Sequence, residues 1–312
     1  MKKVTLFLVL FFIFNIVCAT PTDSTATTKE LRTGQKKLIN PLLDCYDINH
    51  SSLRAMIKLE DSINHYIQQN IASNKCSTVS VYYRDLKNGP WIGINEDKTY
   101  SPASLLKVPF MIAALKQAEE DPSFLSKKIV YYPTETMPQN IITAGFSLKK
   151  DSSYTIEQLL NYMIVFSDNA SKDIIIQYLW TDLYENVFYD LGIDINKYNA
   201  EDTFLSVKEY ATYFRMLYNA TYLTKKMSNL ALEILTKSRF DKGLTAELPK
   251  GTIVAHKFGE RTIANSNIKQ LHDCGIVYKE NSPYIICIMA KGTDFIKLEK
   301  IIAHISAVIY YY

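Results

Sequence analysis

The chain has 312 residues, of which 47% are hydrophobic and 21% charged, and its formal net charge is +3. That length allows one large domain with a substantial core, or two small ones. So mild a charge, with no stripe of interleaved basic and aromatic residues, argues against nucleic acid as the main partner.

In chain order, Lys2-Lys3 precede an apolar run from Val4 to Phe14, broken only by Thr5, and Val17-Cys18-Ala19 then offers small residues for cleavage. The run is short for a membrane span. Segment 1–19 therefore reads as a signal peptide, and the protein is expected to be secreted or periplasmic. A lipid anchor through Cys18, the only route to membrane contact, ranks second because Asn15-Ile16-Val17 matches the usual lipoprotein signal poorly. Segment 20–48 is largely polar and Ser/Thr-rich, a flexible leader. Beyond the signal remain Cys45, Cys76, Cys274 and Cys287. An even number in an exported protein permits disulfides without fixing their pairing. Cys274 and Cys287 flank a hairpin and can lie near each other, whereas a long helix holds Cys45 and Cys76 apart. Buried thiols fit as well as bridges.

Leu53, Ile57, Leu59, Ile63, Tyr66 and Ile67 recur at helical spacing, predicting an amphipathic helix from about Ser51 to Ile71. Ser77 to Tyr83 and Trp91 to Ile94, joined through Lys87-Asn-Gly-Pro, predict a hairpin. Tyr100 to Leu115 is almost wholly apolar after Lys107, the composition of a helix buried on all sides. Pro109 is tolerated there only in the first turns, which places the helix start close to Ser104. The chain then reads as mainly helical to about Ser238, with capping boxes at Thr155–Gln158 and Ser206–Glu209. Strands are predicted at Thr252 to Phe258, Asp273 to Tyr278 and Tyr284 to Ala290, then a closing helix from Phe295 to about Tyr310. Strands from the two ends of a chain usually pair in one sheet. The expected fold is α+β: a mainly antiparallel five-stranded sheet with flanking helices, plus an all-helical lobe. Within a domain spanning 49–312, the sheet lobe takes about 49–100 and 240–312, and the helical lobe about 101–239. A cleft between two lobes is the default place for a site.

Three short motifs fall at that cleft. Ser104-Leu-Leu-Lys107 opens the buried helix, where a hydroxyl and an amine three residues apart share one face. Ser-x-x-Lys also occurs at Ser147/Lys150 and Ser266/Lys269, so alone it decides nothing. Ser167-Asp168-Asn169 occurs once, in a turn after a helix, and His256-Lys257-Phe258-Gly259 ends a predicted strand. Singly, Asp168 and Asn169 are ordinary turn residues and Lys257 an ordinary solvated lysine. A serine hydroxyl needs a base to become a nucleophile, and Lys107 can be that base if burial and the nearby cation of Lys257 disfavour its charged form.

In order and spacing these motifs resemble the signature set Ser-x-x-Lys, Ser-Asp-Asn and Lys-Thr-Gly of the β-lactamase and penicillin-binding protein superfamily. The resemblance is closest to class A and runs from about Ser51 to the end. It implies an acyl hydrolase whose partner is a β-lactam or a D-alanyl peptide of peptidoglycan, with no cofactor, acting as a monomer. It implies catalytic roles for Ser104 (nucleophile), Lys107 (base), Ser167 (proton relay) and Lys257 (positive potential). Asn169 would bind the substrate amide carbonyl, and the N–H groups of Ser104 and of Glu260, after Gly259, would hold the oxyanion. Two departures stand out. Between Leu191-Gly192 and Asp202-Thr203, the segment Ile193 to Glu201 is too short for the family's loop with its deacylating glutamate, and Glu201 matches no motif position. Phe258 replaces a Thr or Ser whose hydroxyl helps bind the substrate carboxylate, and Arg261 or Thr262 would have to stand in. Acylation with slow deacylation is the expected outcome. A non-catalytic binding module is the competing reading; a metal-dependent hydrolase is not supported, because His50, His65, His256, His272 and His304 form no ligand-spaced cluster.

Overall fold

A computed structural model describes residues 38–39, 50–133, 147–193 and 204–312, all within one compact unit from Arg32 to Tyr312. The proposed signal peptide, Cys45 and Glu201 with the short segment around it lie outside the described residues. The first helix, α1 (His50–Ala72), buries the stripe Leu59, Ile63 and Ile67. The hairpin follows as β1 (Thr78–Asp85) and β2 (Trp91–Ile94), antiparallel from Val81↔Ile94 to Arg84↔Trp91. Its turn is fixed by the Asp85 carboxylate, which accepts the N–H groups of Lys87 and Asn88, and by Gly89 at φ 86°, a left-handed conformation that glycine adopts without strain.

The middle of the chain runs β3 (Thr99–Tyr100), a 3-10 turn (Ala103–Leu106), α2 (Lys107–Glu120), β4 (Lys128–Val130), β5 (Ser153–Thr155), α3 (Ile156–Val165), α4 (Asn169–Tyr178), α5 (Thr181–Asp190), β6 (Leu205–Ser206), α6 (Val207–Asn219) and α7 (Lys225–Leu235). Both expected capping boxes are formed: Thr155 with Gln158 opens α3, and Ser206 with Glu209 opens α6. The middle is not wholly helical, however. Two ribbons, β3 with β6 and β4 with β5, tie it together. At two and three residues per strand they are too short for a period-2 pattern to announce them. Nearly every residue of α2 is buried, and Pro109 stands in its first turn, where its missing N–H is not needed.

The chain closes with β7 (Val254–Thr262), β8 (Lys269–Val277), β9 (Tyr284–Gly292) and α8 (Phe295–Tyr311). These strands join the first hairpin in one antiparallel sheet of order β2-β1-β9-β8-β7, with Val81 of β1 opposite Ile288 of β9. Both β7 and β8 are longer than expected. β7 continues through Gly259 to Thr262, and β8 starts at Lys269 rather than Asp273. One face of the sheet (Val79, Val81, Phe258, Leu271, Ile286, Ile288) packs on α1 and α8. The other (Ala255, Cys274, Ile276, Ile285, Met289) packs on the helical lobe. Alternation along each strand thus splits the protein into two cores, with β7 as the edge strand beside the 3-10 turn. Cys274 and Cys287, directly opposite in the β8–β9 register, form a disulfide, while Cys76 is a buried thiol. Among the described residues no helix is long and apolar enough to cross a membrane.

Candidate active site

Ser104 lies in the 3-10 turn just ahead of α2, whose first residue is Lys107. It is not on the α-helix itself. The tighter turn serves the pair well, since residues i and i+3 eclipse in 3-10 geometry. The Lys107 Nζ is 3.2 Å from Ser104 Oγ. It also meets the Ser167 carbonyl oxygen at 2.5 Å, Ser167 Oγ at 3.2 Å and Asn169 Oδ1 at 2.7 Å. Two of these partners, the carbonyl and the amide oxygen, can only accept. A neutral amine satisfies both with its two N–H groups, which leaves its lone pair for a serine hydroxyl.

Charge state follows from the surroundings. Burial is the main cause that pushes the Lys107 pKa down to about 7, and the nearby cation of Lys172 adds to it, against the opposing pull of Asp168, Asp173 and Glu260. Lys257, which is fully buried, is held well below the ordinary lysine value, first by burial and then by Lys107. The repulsion between Lys107 and Lys257 is mutual, so the second lysine expected from the sequence and Lys172 of α4 both disfavour a charged Lys107. Near neutral pH a large share of the Lys107 amine is unprotonated, as a base requires.

Ser167 sits between the two lysines. Its Oγ accepts from Lys257 Nζ at 2.8 Å as well as facing Lys107. Its backbone is left-handed at φ 56°, a conformation a non-glycine residue keeps only when its surroundings impose it. Here Lys107 grips its carbonyl, and the next residue starts a helix. Asp168 is the N-cap of α4, its Oδ1 accepting the Ser171 N–H and Oγ–H, both at 2.6 Å. It shapes the turn rather than entering the chemistry. Asn169 turns Oδ1 to Lys107, so its NH2 is the end directed away from that lysine.

On β7, Lys257 and Gly259 face the helical lobe. A Cβ on Gly259 would come within 3.0 Å of Pro102 O and 3.2 Å of Leu105 N, so only glycine lets the strand approach the nucleophile turn this closely. Phe258 points to the opposite face, fully buried, stacked on Phe240 at 4.3 Å and with Lys257 Nζ 4.2 Å from its ring centroid. The sequence position at which the resemblance expects a hydroxyl thus carries a packed ring. Glu260 follows on the edge strand, its carboxylate close enough to raise the pKa of both lysines. Arg261 donates to Ser101 Oγ at 3.2 Å, and Thr262 is exposed at the end of β7. Alternation puts Arg261 on the Lys257 face, toward the helical lobe. His256 pairs with Asp273 at 2.8 Å, a buried brace between β7 and β8. No group of three or more His, Cys, Asp or Glu among the described residues is placed to hold a metal ion.

All three motifs thus converge on one cleft, with Ser104, Lys107, Ser167, Asn169 and Lys257 in direct or shared contact. Two contributors carried no motif. Lys172 is three residues beyond Asn169, a spacing that places a helical cation near the site. Tyr210 donates its hydroxyl to Leu105 O at 2.9 Å, a contact across 105 residues that no local pattern reveals.

The chain belongs to the beta-lactamase enzyme family, whose model matches residues 58–312. It is 27% identical over 263 residues to Beta-lactamase VEB-1 of Pseudomonas aeruginosa, a match spanning 78% of this chain and 88% of that protein. Its fold is that of TLA-1 extended-spectrum β-lactamase, with a TM-score of 0.70 and 21% identity over 82% of this chain and 98% of that one. A mutant of PBP-A, solved as an acyl-enzyme complex with penicillin-G, superposes with a TM-score of 0.68 and 22% identity over 82% of this chain and 96% of that one.

Proposed function

We propose that the protein is an exported active-site-serine hydrolase that is acylated on Ser104 by a strained or peptide amide, a β-lactam or a D-alanyl peptide, and loses the acyl group slowly. The observation that carries this reading is an unbroken chain from Ser104 Oγ to Lys107 Nζ (3.2 Å), Ser167 Oγ (3.2 Å) and Lys257 Nζ (2.8 Å). Nothing in packing calls for Lys107, Ser167 and Lys257 buried in a row beside a half-buried Ser104; burial without function would favour apolar residues.

The chemistry follows the chain. The Lys107 amine takes the Ser104 hydroxyl proton as Oγ bonds to the substrate's amide carbon. The carbonyl oxygen becomes an oxyanion, held by the N–H groups of Ser104 and Glu260. When the carbon–nitrogen bond breaks, the proton passes from Lys107 through the Ser167 hydroxyl to the leaving nitrogen, and the amine is neutral again. Lys257 keeps the Ser167 hydroxyl oriented and adds positive potential, while the Asn169 NH2 donates to the substrate's side-chain amide carbonyl. Release of the acyl group needs a water and a base. The short segment before Asp202 leaves no room for the family's glutamate loop, which is the reason for expecting slow deacylation. Export rests on Lys2-Lys3 and the apolar run before Ala19.

Mass measurement of the purified protein after incubation with a penicillin tests the reading. The expected result is a stable adduct of one penicillin mass on the wild type and none on Ser104→Ala. Absence of both adduct and turnover refutes acylation; rapid turnover refutes slow release. A second reading, a binding module that has kept the fold, is favoured by Phe258 and the short segment before Asp202, and an adduct dependent on Ser104 excludes it.

A further inference from the structure

The segment entering the nucleophile turn is gripped by side chains that the acyl-transfer steps do not use. Ser101 is fully buried, and both of its peptide groups are satisfied by side chains of β8. Its N–H donates to Gln270 Oε1 at 3.2 Å, and its carbonyl meets His272 Nε2 at 3.0 Å. Because a carbonyl can only accept, that nitrogen carries the imidazole proton. Burial pushes the His272 pKa down to about 4, so the ring is a neutral donor at ordinary pH. Gln270 and His272 are two apart in an interior strand and so share one face, and both are buried. Polar side chains in such a place are costly unless bonded, and here the Ser101 N–H answers Gln270 Oε1 and the Ser101 carbonyl answers His272 Nε2, while His272 Nδ1 is buried with no hydrogen-bond partner among the described residues.

Two residues further on, Ala103 has φ 48°, left-handed backbone in a residue with a Cβ. It turns the chain so that Ser104 enters the 3-10 turn. Upstream, Tyr100 O accepts from Phe204 N at 3.1 Å. Downstream, Pro102 O accepts from Leu105 N at 3.0 Å and Leu105 O accepts from Tyr210. Ala103 is thus held from both sides, with Ser101 the nearest fixed point before it. Relaxation of Ala103 to negative φ would rotate the peptide between it and Ser104, and with it the Ser104 N–H.

We propose that Gln270 and His272 are positioning residues: by clamping Ser101 they keep Ala103 left-handed and aim the Ser104 N–H and Oγ for acyl transfer. The clamp rests on the acylation reading above, and it acts on the transition state rather than on substrate capture.

Rapid-mixing kinetics with a penicillin separate the dissociation constant of the first complex from the acylation rate constant. His272→Leu and Gln270→Met should each lower the rate constant roughly 10- to 100-fold, with the dissociation constant unchanged. His272→Gln, which keeps an N–H donor, should recover most of the loss. Amide hydrogen exchange over residues 101–107 should quicken in the two disabling variants and not in His272→Gln, a readout that needs no substrate. Unchanged acylation or unchanged exchange in a folded variant overturns the proposal, as does a His272→Gln no better than His272→Leu. If His272→Leu does not fold, Gln270→Met decides the question. Wild-type protein that takes no acyl group refutes the proposed function instead, and the exchange data still judge the clamp.

Discussion

On the helical-lobe side of the cleft, Lys107, Ser167 and Asn169 lock together through contacts of 2.5 to 3.2 Å, backed by a left-handed serine and a capped helix. On the facing strand the match with the motif is limited to Lys257 and Gly259. Phe258 is turned into the core, Glu260 brings a carboxylate, and Arg261 is engaged with Ser101. The side proposed to move protons is kept, and the side that would greet a substrate's anionic group is changed. Proton transfer depends on heavy atoms held within hydrogen-bond reach and tolerates few substitutes. Recognition of a carboxylate depends on the sum of nearby charges and donors, so it can be remodelled one side chain at a time.

The comparison can be broken most severely on the conserved side. Lys107→Met should reduce acylation roughly 100- to 10,000-fold, measured as the second-order rate of labelling by a fluorescent penicillin. In the wild type that rate should rise with pH through about 7, where the amine loses its proton, and the limb should vanish in the variant. Stability has a matching signature. Between about 7 and the ordinary lysine value of 10.5, the unfolded chain binds the proton that the folded chain has released. Stability therefore rises with pH across that window, and urea titrations of Lys107→Met should show the slope flattened.

On the changed side the effects are smaller and fall on stability or selectivity. Phe258→Thr removes a buried ring stacked on Phe240 and should cost about 3 kcal/mol, read as a lower urea midpoint at unchanged slope. An undiminished midpoint would show that the ring is not a core residue. Glu260→Gln should raise the acylation rate of a penicillin about tenfold relative to its uncharged methyl ester, since only the free acid meets the carboxylate's repulsion. Equal changes for acid and ester would remove Glu260 from any role in selectivity.

How much of this was legible beforehand depends on the range of the interactions. The hairpin, both capping boxes and α8 are written in residues close in sequence, and they form where expected. The meeting of the three motifs required only that strands from both chain ends share a sheet. What escaped was the polar start of β8. Lys269-Gln270-Leu271-His272 alternates like an exposed edge, yet Gln270 and His272 are buried, and Ser101, 169 residues from Gln270, bonds Gln270 Oε1 and His272 Nε2. The ribbons β3–β6 and β4–β5 escaped because two or three residues carry no period. Lys172 escaped as a further cation beside Lys107 because that depends on which turn of α4 faces the amine, and spacing alone does not fix it.

The strand order has a consequence for the order of assembly. β1 is synthesised early, but its pairing partner β9 comes some 200 residues later, Val81 waiting for Ile288. Until then the first hairpin presents an unpaired edge, and α2 has no β7 to lie against. Ser104 and Lys107 are made long before Lys257, so no chain that ends ahead of β7 holds the complete proposed relay. Such long-range pairing folds slowly. The meeting of Ser104, Lys107, Ser167 and Lys257 is therefore a property of the finished chain, complete only when the last three strands close the sheet.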